Sequence, residues 1–309
     1  MTLIQCVPNF SEGRRLDVVE AIADAIRSVP EVRLIDYSAD PDHNRCVMTI
    51  LGPGERAADA LLAAARVAVA QIDLRTHTGV HPRVGALDVA PFVPLKVVNG
   101  AFVVAEEAKA ETIALSERTA QQLAADLNLP IYLYEWSAHA GRLSALPELR
   151  RGGFEGLLGQ SLTGAHAPDF GPDHAHPSAG ITILGARGPL VAYNIDLDTE
   201  DIKVARHIAR RIRDERDHLP QLTGVRALGL HLPIRGVAQV SMNLTLPSRT
   251  SLPAVFDFVL AEAHRLGDFK LTSEIIGEIP RASLGGLPPE AIAWNDYKAE
   301  QILETWISS

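Results

Sequence analysis

Apolar positions along this chain switch between two periods, and the switches mark its elements. Leu16, Val19, Ile22, Ala23 and Ile26 recur every three or four residues, which predicts a helix over Arg15 to Ser28. Short apolar runs at Leu3 to Val7, Val32 to Tyr37 and Cys46 to Leu51 read as strands. Gly54 to Ala70 reads as an alanine-rich helix, and Ala86 to Leu95 as a strand whose two prolines restrict its pairing. Ala101 to Asn128 is predicted mainly helical, closed by Asn128 and Pro130, and Ile131 to Trp136 reads as β. In the second half, Leu190 to Ile195 reads as a strand. Glu200 to Arg213 then carries Ile202, Ala205, Ile208, Ala209 and Ile212 on one helical side. Val225 to Leu232 and Val237 to Leu244 read as strands about a turn at Pro233 to Gly236, followed by a helix over Pro253 to Leu266 and a strand over Lys270 to Ile276.

Residues 1 to 95 thus run strand, helix, strand, strand, helix, strand, and the second half repeats the order. This is the split βαβ arrangement. The expected fold class is α/β (α+β): two ferredoxin-like βαββαβ subdomains, residues 1–189 and 190–309, with helices packed on mixed sheets. A cleft between them is the default ligand site. No sequence identity joins the halves, so the repeat is architectural. Residues 137 to 180 carry much Gly, Pro, His and Asp with little periodicity, and a long irregular stretch in a globular enzyme is usually functional or mobile.

Composition narrows the class. The chain has 309 residues, 47% of them hydrophobic, enough for a sizeable core. A net charge of −9 argues against a general nucleic-acid binder, which needs clustered basic residues to displace counterions. Two cysteines, Cys6 and Cys46, make no disulfide framework and suit a reducing, cytoplasmic setting. The start, Met-Thr-Leu-Ile-Gln-Cys, lacks a basic and apolar leader, and no apolar run spans a bilayer.

The densest chemistry lies in His77-Thr-Gly-Val-His81-Pro-Arg83-Val-Gly85-Ala-Leu-Asp88. A loop this polar contributes little to a core. It offers imidazoles that titrate near neutrality and a fixed cation suited to a carboxylate. Pro82 biases His81 towards extended backbone, and Gly79 and Gly85 permit sharp turns or close approach to a ligand. His81 serves either as an acid/base or as a loop histidine that satisfies backbone groups. His77, four residues earlier, would share a helical face and invite a metal, but Gly79 and Pro82 oppose a helix. Asp40-Pro-Asp42-His43-Asn44-Arg45 reads as a turn between two strands, or as a site in which Arg45 grips a carboxylate bidentately; with Arg83 it would suit a dicarboxylate such as glutamate. Asp169-Phe-Gly-Pro-Asp173-His174-Ala-His176-Pro-Ser178-Ala-Gly180 is a metal-ligand set by residue type, a cradle for a planar polar ligand, or a plain linker. In Pro8-Asn9-Phe10-Ser11-Glu12-Gly13, Ser11 is placed to cap the first helix and Asn9 to face a ligand. Neither a dinucleotide fingerprint, a phosphate-binding loop nor a nucleophile elbow occurs.

Several of these segments together resemble glutamate formimidoyltransferases: Cys6-Val-Pro-Asn-Phe-Ser-Glu-Gly13, His43-Asn-Arg45, His81-Pro-Arg-Val-Gly-Ala-Leu-Asp88, Tyr132-Leu-Tyr134, Asp169-Phe-Gly-Pro172, Gly185-Ala-Arg187, Ala238-Gln-Val-Ser241 and Asn243 fall in that family's order. The resemblance covers essentially the whole chain and is to the transferase alone, without the cyclodeaminase domain fused to it in animals. Ser38 stands where animal members carry an acidic residue, and Ala179 where they carry tryptophan.

The resemblance implies transfer of the formimidoyl group from N-formimidoyl-L-glutamate to N5 of tetrahydrofolate, in histidine degradation. It implies His81 as catalytic acid/base and Gly171, Pro172, Asp173, His174, Ala175, His176, Pro177, Ser178, Ala179 and Gly180 as the folate-binding segment. The residues themselves offer Arg45, Arg83, Asn44, Asn9 and Asp88 as substrate contacts, with Asp88 either orienting an imidazole or contacting pterin nitrogens; the family suggests a homodimer and tetrahydrofolate as co-substrate. No metal is expected, because a protonated amidine is already electrophilic. The other readings are formyl transfer between 5-formyltetrahydrofolate and glutamate, a metal-dependent hydrolase using His77, His81, His174 and His176 with Asp169 and Asp173, and a non-catalytic folate-binding protein.

Overall fold

The structure is a computed structural model that describes residues 2–306. Met1 and Ser309, on which the readings of the chain's ends rest, lie outside the described residues. Contacts divide the chain into two compact units, one of Met1–Lys96 with Val103–Arg187 and one of Val97–Phe102 with Gly188–Ser309.

From the start of the chain, β1 (Leu3–Cys6), β2 (Asn9–Phe10), α1 (Leu16–Arg27), β3 (Arg33–Asp40), β4 (Arg45–Gly52), α2 (Gly54–Gln71) and β5 (Leu87–Val98) follow in order. β1 and β2 act as one interrupted strand, since both pair antiparallel with β4 and with β5. With β3 on the far side of β4, the lateral order is that of a ferredoxin-like βαββαβ sheet. Of the predicted stripe of α1, Val19, Ile22, Ala23 and Ile26 are buried beside the alanines of α2, while Leu16 at its first position is exposed. Small side chains let those two helices approach each other and the sheet closely.

The chain then adds β6 (Ala101–Val104), α3 (Lys109–Leu127), β7 (Ile131–Leu133), α4 (Leu146–Leu149) and β8 (Thr182–Ala186). β8 pairs parallel with both β5 and β7, which turns an antiparallel sheet into a mixed one. Three expectations are corrected here. Ala101–Val104 is a strand rather than the start of a helix, because it folds back on β5. The proline-bearing strand β5 is the most widely paired of the sheet, with β1, β2, β6 and β8 all against it. Pro91 and Pro94 lack an N–H, but their carbonyls still accept from Val7 (3.2 Å) and Ala105 (3.0 Å). Residues 182–186 form a strand that periodicity did not mark; all five are buried. The end of α3 is as expected: Asn128 takes the left-handed conformation that closes a helix.

The second unit runs β9 (Val191–Leu197), α5 (Ile202–Glu215), β10 (Val225–Leu232), β11 (Val237–Leu244), α6 (Leu252–Leu266) and β12 (Leu271–Ile276). Its antiparallel sheet has the order β10-β11-β9-β12, the ferredoxin-like order without additions. Asp201 caps α5 by accepting from the Lys203 amide at 2.9 Å, and Ala205, Ile208, Ala209 and Ile212 form its buried stripe.

Residues 137–180 are irregular, as composition predicts, apart from the single turn of α4 and short 3₁₀ turns. They are not a plain linker. Leu149, Leu162 and Ala175 pack with Val84, Val89, Tyr132, Tyr134, Ile181 and Ile183 into a separate apolar cluster.

Candidate active site

The turn between β3 and β4 and the loop of residues 77–88 are tied together by backbone and amide bonds. The Asp42 carbonyl accepts from the Val80 amide at 3.1 Å. Asn44, at φ 47°, accepts from the Gly13 amide with Oδ1 (3.0 Å) and donates from Nδ2 to the Thr78 carbonyl (2.9 Å). A Cβ on Gly79 would sit 2.3 Å from the His43 carbonyl oxygen, so glycine is what permits the contact. Ser11 donates to the Gly85 carbonyl at 2.7 Å rather than capping α1, and Glu12 accepts from the amides of Arg14 and Arg15 in the turn that leads into the helix. Nor is the loop outside the core throughout: from Val84 to Asp88 every residue is buried.

This frame carries His81 against Arg45. The Arg45 Nη1 lies 2.6 Å from the His81 Nε2. A guanidinium only donates, so Nε2 must present its lone pair, and the ring is neutral with its hydrogen on Nδ1. The ring's other partner is the Pro82 carbonyl. Removal from water, then Arg45, Arg150 and His43, hold the imidazole well below its ordinary pKa. The His43 ring stands 6.0 Å away, centroid to centroid. Burial, and after it the charge of Arg150, pushes the Arg45 guanidinium down to about 10, which leaves it a cation at neutral pH.

Asp88 holds the other side. Its Oδ1 accepts from the amides of Val84 (2.7 Å) and Gly85 (3.2 Å), and its Oδ2 from the Arg150 guanidinium. Arg150 stands out from no sequence motif, and it is the main site residue that sequence reasoning missed. The one signal for it is indirect: a buried aspartate next to a polar loop needs a cation from elsewhere in the chain. The buried phenol of Tyr134 is hydrogen-bonded by Arg187, and the charge of Arg150 also acts on it.

The other candidates are placed differently. The Arg83 fork grips Glu155 with Nη1 (3.0 Å) and Nη2 (2.6 Å), while its Nε donates to His77 Nδ1 at 2.9 Å. His77 in turn donates from Nε2 to the Asn44 carbonyl at 2.8 Å. Asn9 is buried in β2 and donates to the Val7 carbonyl at 2.8 Å. His174 sits with Asp173 on the exposed surface, and His176 Nδ1 accepts from the Ala179 amide at 3.0 Å. Asp169 accepts from the Leu133 amide. Among the described residues no three His, Cys, Asp or Glu side chains converge as a metal ligand set. Burial pushes the Cys46 thiol up to about 12 and raises Cys6 as well, so neither supplies a thiolate.

The segment from Gly171 to Gly180 is stitched to the His81 loop. The Ala179 carbonyl accepts from the Ala86 amide at 2.8 Å, Ile181 donates to Val84, and Gly85 and Gly180 form a bridge. An open depression lined by Gln121, Ala124, Asn128, Phe170, Gly171 and Pro172 touches the segment's first residues but none of the neighbours of His81. Gly180 has φ 72°, and a Cβ there would meet the Val84 carbonyl oxygen at 2.0 Å. Gly180→Ala is therefore expected to cost about 2–4 kcal/mol of unfolding free energy in urea titration. Gly100→Ala, at a similar φ but with open space around it, should cost about 1 kcal/mol. Equal losses would mean that the close contact between the two segments carries no energy.

Comparison with known proteins finds relatives along nearly the whole chain. Residues 3–187 match the family model "Formiminotransferase domain, N-terminal subdomain", and residues 192–286 match "Formiminotransferase domain". The chain is 37% identical over 303 residues to a glutamate formimidoyltransferase of Streptococcus pyogenes serotype M1, covering 98% of this chain and 97% of that protein. A glutamate formimidoyltransferase of Thermoplasma acidophilum is 37% identical over 307 residues, with the same coverage. The formimidoyltransferase-cyclodeaminase of Rattus norvegicus is 37% identical over 285 residues; these are 91% of this chain but 51% of that longer protein.

Proposed function

The chain belongs to the formiminotransferase family, and we propose that it transfers the formimidoyl group of N-formimidoyl-L-glutamate to N5 of tetrahydrofolate, releasing glutamate. The observation that carries the reading at the level of residues is the neutral His81, held among cations with the lone pair of its Nε2 directed at Arg45. In the reaction the N5 lone pair bonds to the amidine carbon, and N5 loses its hydrogen as a proton. The bond from that carbon to the glutamate nitrogen then breaks, with the electron pair leaving on nitrogen, which must gain a proton. A single imidazole that accepts the first proton and returns it to the leaving amine balances both steps. A base that is neutral at pH 7 can take the first proton, and its conjugate acid, surrounded by Arg45 and Arg150, gives it up readily.

The segment Gly171–Gly180 is the proposed folate cradle. Its support is its backbone ties to the His81 loop, through the Ala86–Ala179, Val84–Ile181 and Gly85–Gly180 contacts. Asp88 is read as the anchor of the His81 loop, and Asn44 and Asn9 as its scaffold. The same reading includes a homodimer, and a reducing cytoplasm with which two free, buried cysteines are compatible; no described helix is long and apolar enough to cross a membrane.

Purified chain incubated with N-formimidoyl-L-glutamate and tetrahydrofolate should release glutamate in one-to-one ratio with 5-formimidoyltetrahydrofolate. A parallel arm with 5-formyltetrahydrofolate and glutamate should run more slowly, because a neutral formamide is less electrophilic than an amidinium. Folate binding without glutamate release would reduce the protein to a folate carrier, and a faster formyl arm would reverse the assignment of the group transferred.

A further inference from the structure

Arg45 and Arg150 bring two guanidinium groups to His81, and Asp88, the carboxylate whose charge acts on Arg45, is already engaged by Arg150 and by two backbone amides. The Nε–H groups of Arg45 and Arg150 are both sealed from water and have no acceptor among the described residues. Buried donors are almost always satisfied in native proteins, so two cations that each keep one buried N–H without an acceptor mark a place for an anionic ligand. Arg83, by contrast, has its fork filled by Glu155 and its Nε by His77, so it leaves no fork for a carboxylate.

Arg45 meanwhile donates to the lone pair of His81 Nε2, the one on which a base depends. The groups that face the ring are Arg45 from β4, His43 from the preceding turn and Arg150 from the residue after α4, with the Pro82 carbonyl as the remaining partner. Arg45 and Arg150 are cations and His43 is a second imidazole, so the resting ring is capped by Arg45 and disfavoured as a cation.

We propose, resting on the reading of His81 as the acid/base, that a carboxylate of the glutamate moiety binds between Arg45 and Arg150 and draws Arg45 off the His81 Nε2. A carboxylate is a stronger acceptor for guanidinium than a neutral imidazole, so the exchange is favourable. It removes the cap from the base and cancels one of the positive charges facing it. The formimidoyl donor thereby switches on the group that its own transfer requires, and tetrahydrofolate alone does not.

The test is the titration of the His81 imidazole in the full chain, followed by ¹⁵N NMR and assigned with His81→Gln. Saturating L-glutamate should raise its midpoint by about 1–2 pH units, the size of effect produced by one added charge at close range. The α,γ-diamide of glutamate should leave it in place. Arg150→Gln should raise the midpoint in the free protein, weaken L-glutamate about tenfold or more, and abolish the shift. Arg150→Lys keeps a cation beside Asp88 if the glutamine variant does not fold, and should show a smaller shift than the unaltered chain. An unmoved midpoint in the unaltered chain at saturating glutamate, an equal response to the diamide, or no glutamate binding at all would overturn the proposal. Group transfer with an unmoved midpoint overturns this inference alone; a moved midpoint without group transfer overturns the reading of the reaction.

Discussion

His81→Ala should lower turnover with formimidoylglutamate and tetrahydrofolate by about 10²–10⁴-fold, the usual contribution of a positioned acid/base. The protein should stay folded. The residue packs in no apolar cluster, and loss of its side chain leaves the backbone ties of the loop to Asp42 and Gly180 in place. The sign of the pH dependence follows from the surroundings of the ring. The active free-enzyme form is the neutral imidazole, and desolvation and Arg45 hold its pKa well below the ordinary value of about 6.5. The base is therefore fully present at pH 7, and kcat/KM should fall only as pH drops below 6.5, on the acid side of an ordinary histidine. In His81→Ala that acid limb should vanish along with the rate. Tetrahydrofolate affinity, measured by calorimetry, should change less than tenfold. Turnover that survives the substitution removes His81 from the chemistry, and a collapse of folate binding equal to the loss of rate makes it a binding residue.

What local sequence made visible, and what it did not, divides along contact distance. The helical stripe of α5 and the paired strands β10 and β11 were legible because each buries one face, and a buried face writes its period into neighbouring residues. The β3–β4 turn and the polar loop carrying His81 were legible because proline, glycine and asparagine are needed where the chain bends sharply. β8 was not, because a short strand buried on both sides has no alternation to read. Ser11 looked like a helix cap by position, yet its partner is a carbonyl 74 residues away. Arg83 looked like a ligand clamp by type, and Glu155, 72 residues on in an aperiodic stretch, takes its fork. Arg150 reaches Asp88 across 62 residues in the same way. Residue type announced that charges would be used here; only the fold decides which charges meet.

Asp88→Ala should destabilise the protein by about 4–6 kcal/mol, more than any single loss of packing at the site. Three partners lose their acceptor at once. The Val84 and Gly85 amides are buried, and each orphaned donor costs about 1–3 kcal/mol. The Arg150 guanidinium, whose side chain is 12% exposed, loses its counter-charge, and removing one member of a buried pair typically costs about 3–5 kcal/mol. These costs do not add fully, because water enters the space the carboxylate leaves. Asp88→Asn separates them. Its amide oxygen can still accept from Val84 and Gly85, while its neutral side chain leaves the Arg150 charge without compensation. Urea unfolding should therefore rank the unaltered chain above Asp88→Asn, with Asp88→Ala the least stable. If the asparagine variant is as unstable as alanine, the ion pair accounts for the whole loss and the amide bonds for none. If both variants unfold within 1 kcal/mol of the unaltered chain, Asp88 does not anchor the loop, and the position of His81 must be set by the β3–β4 turn alone.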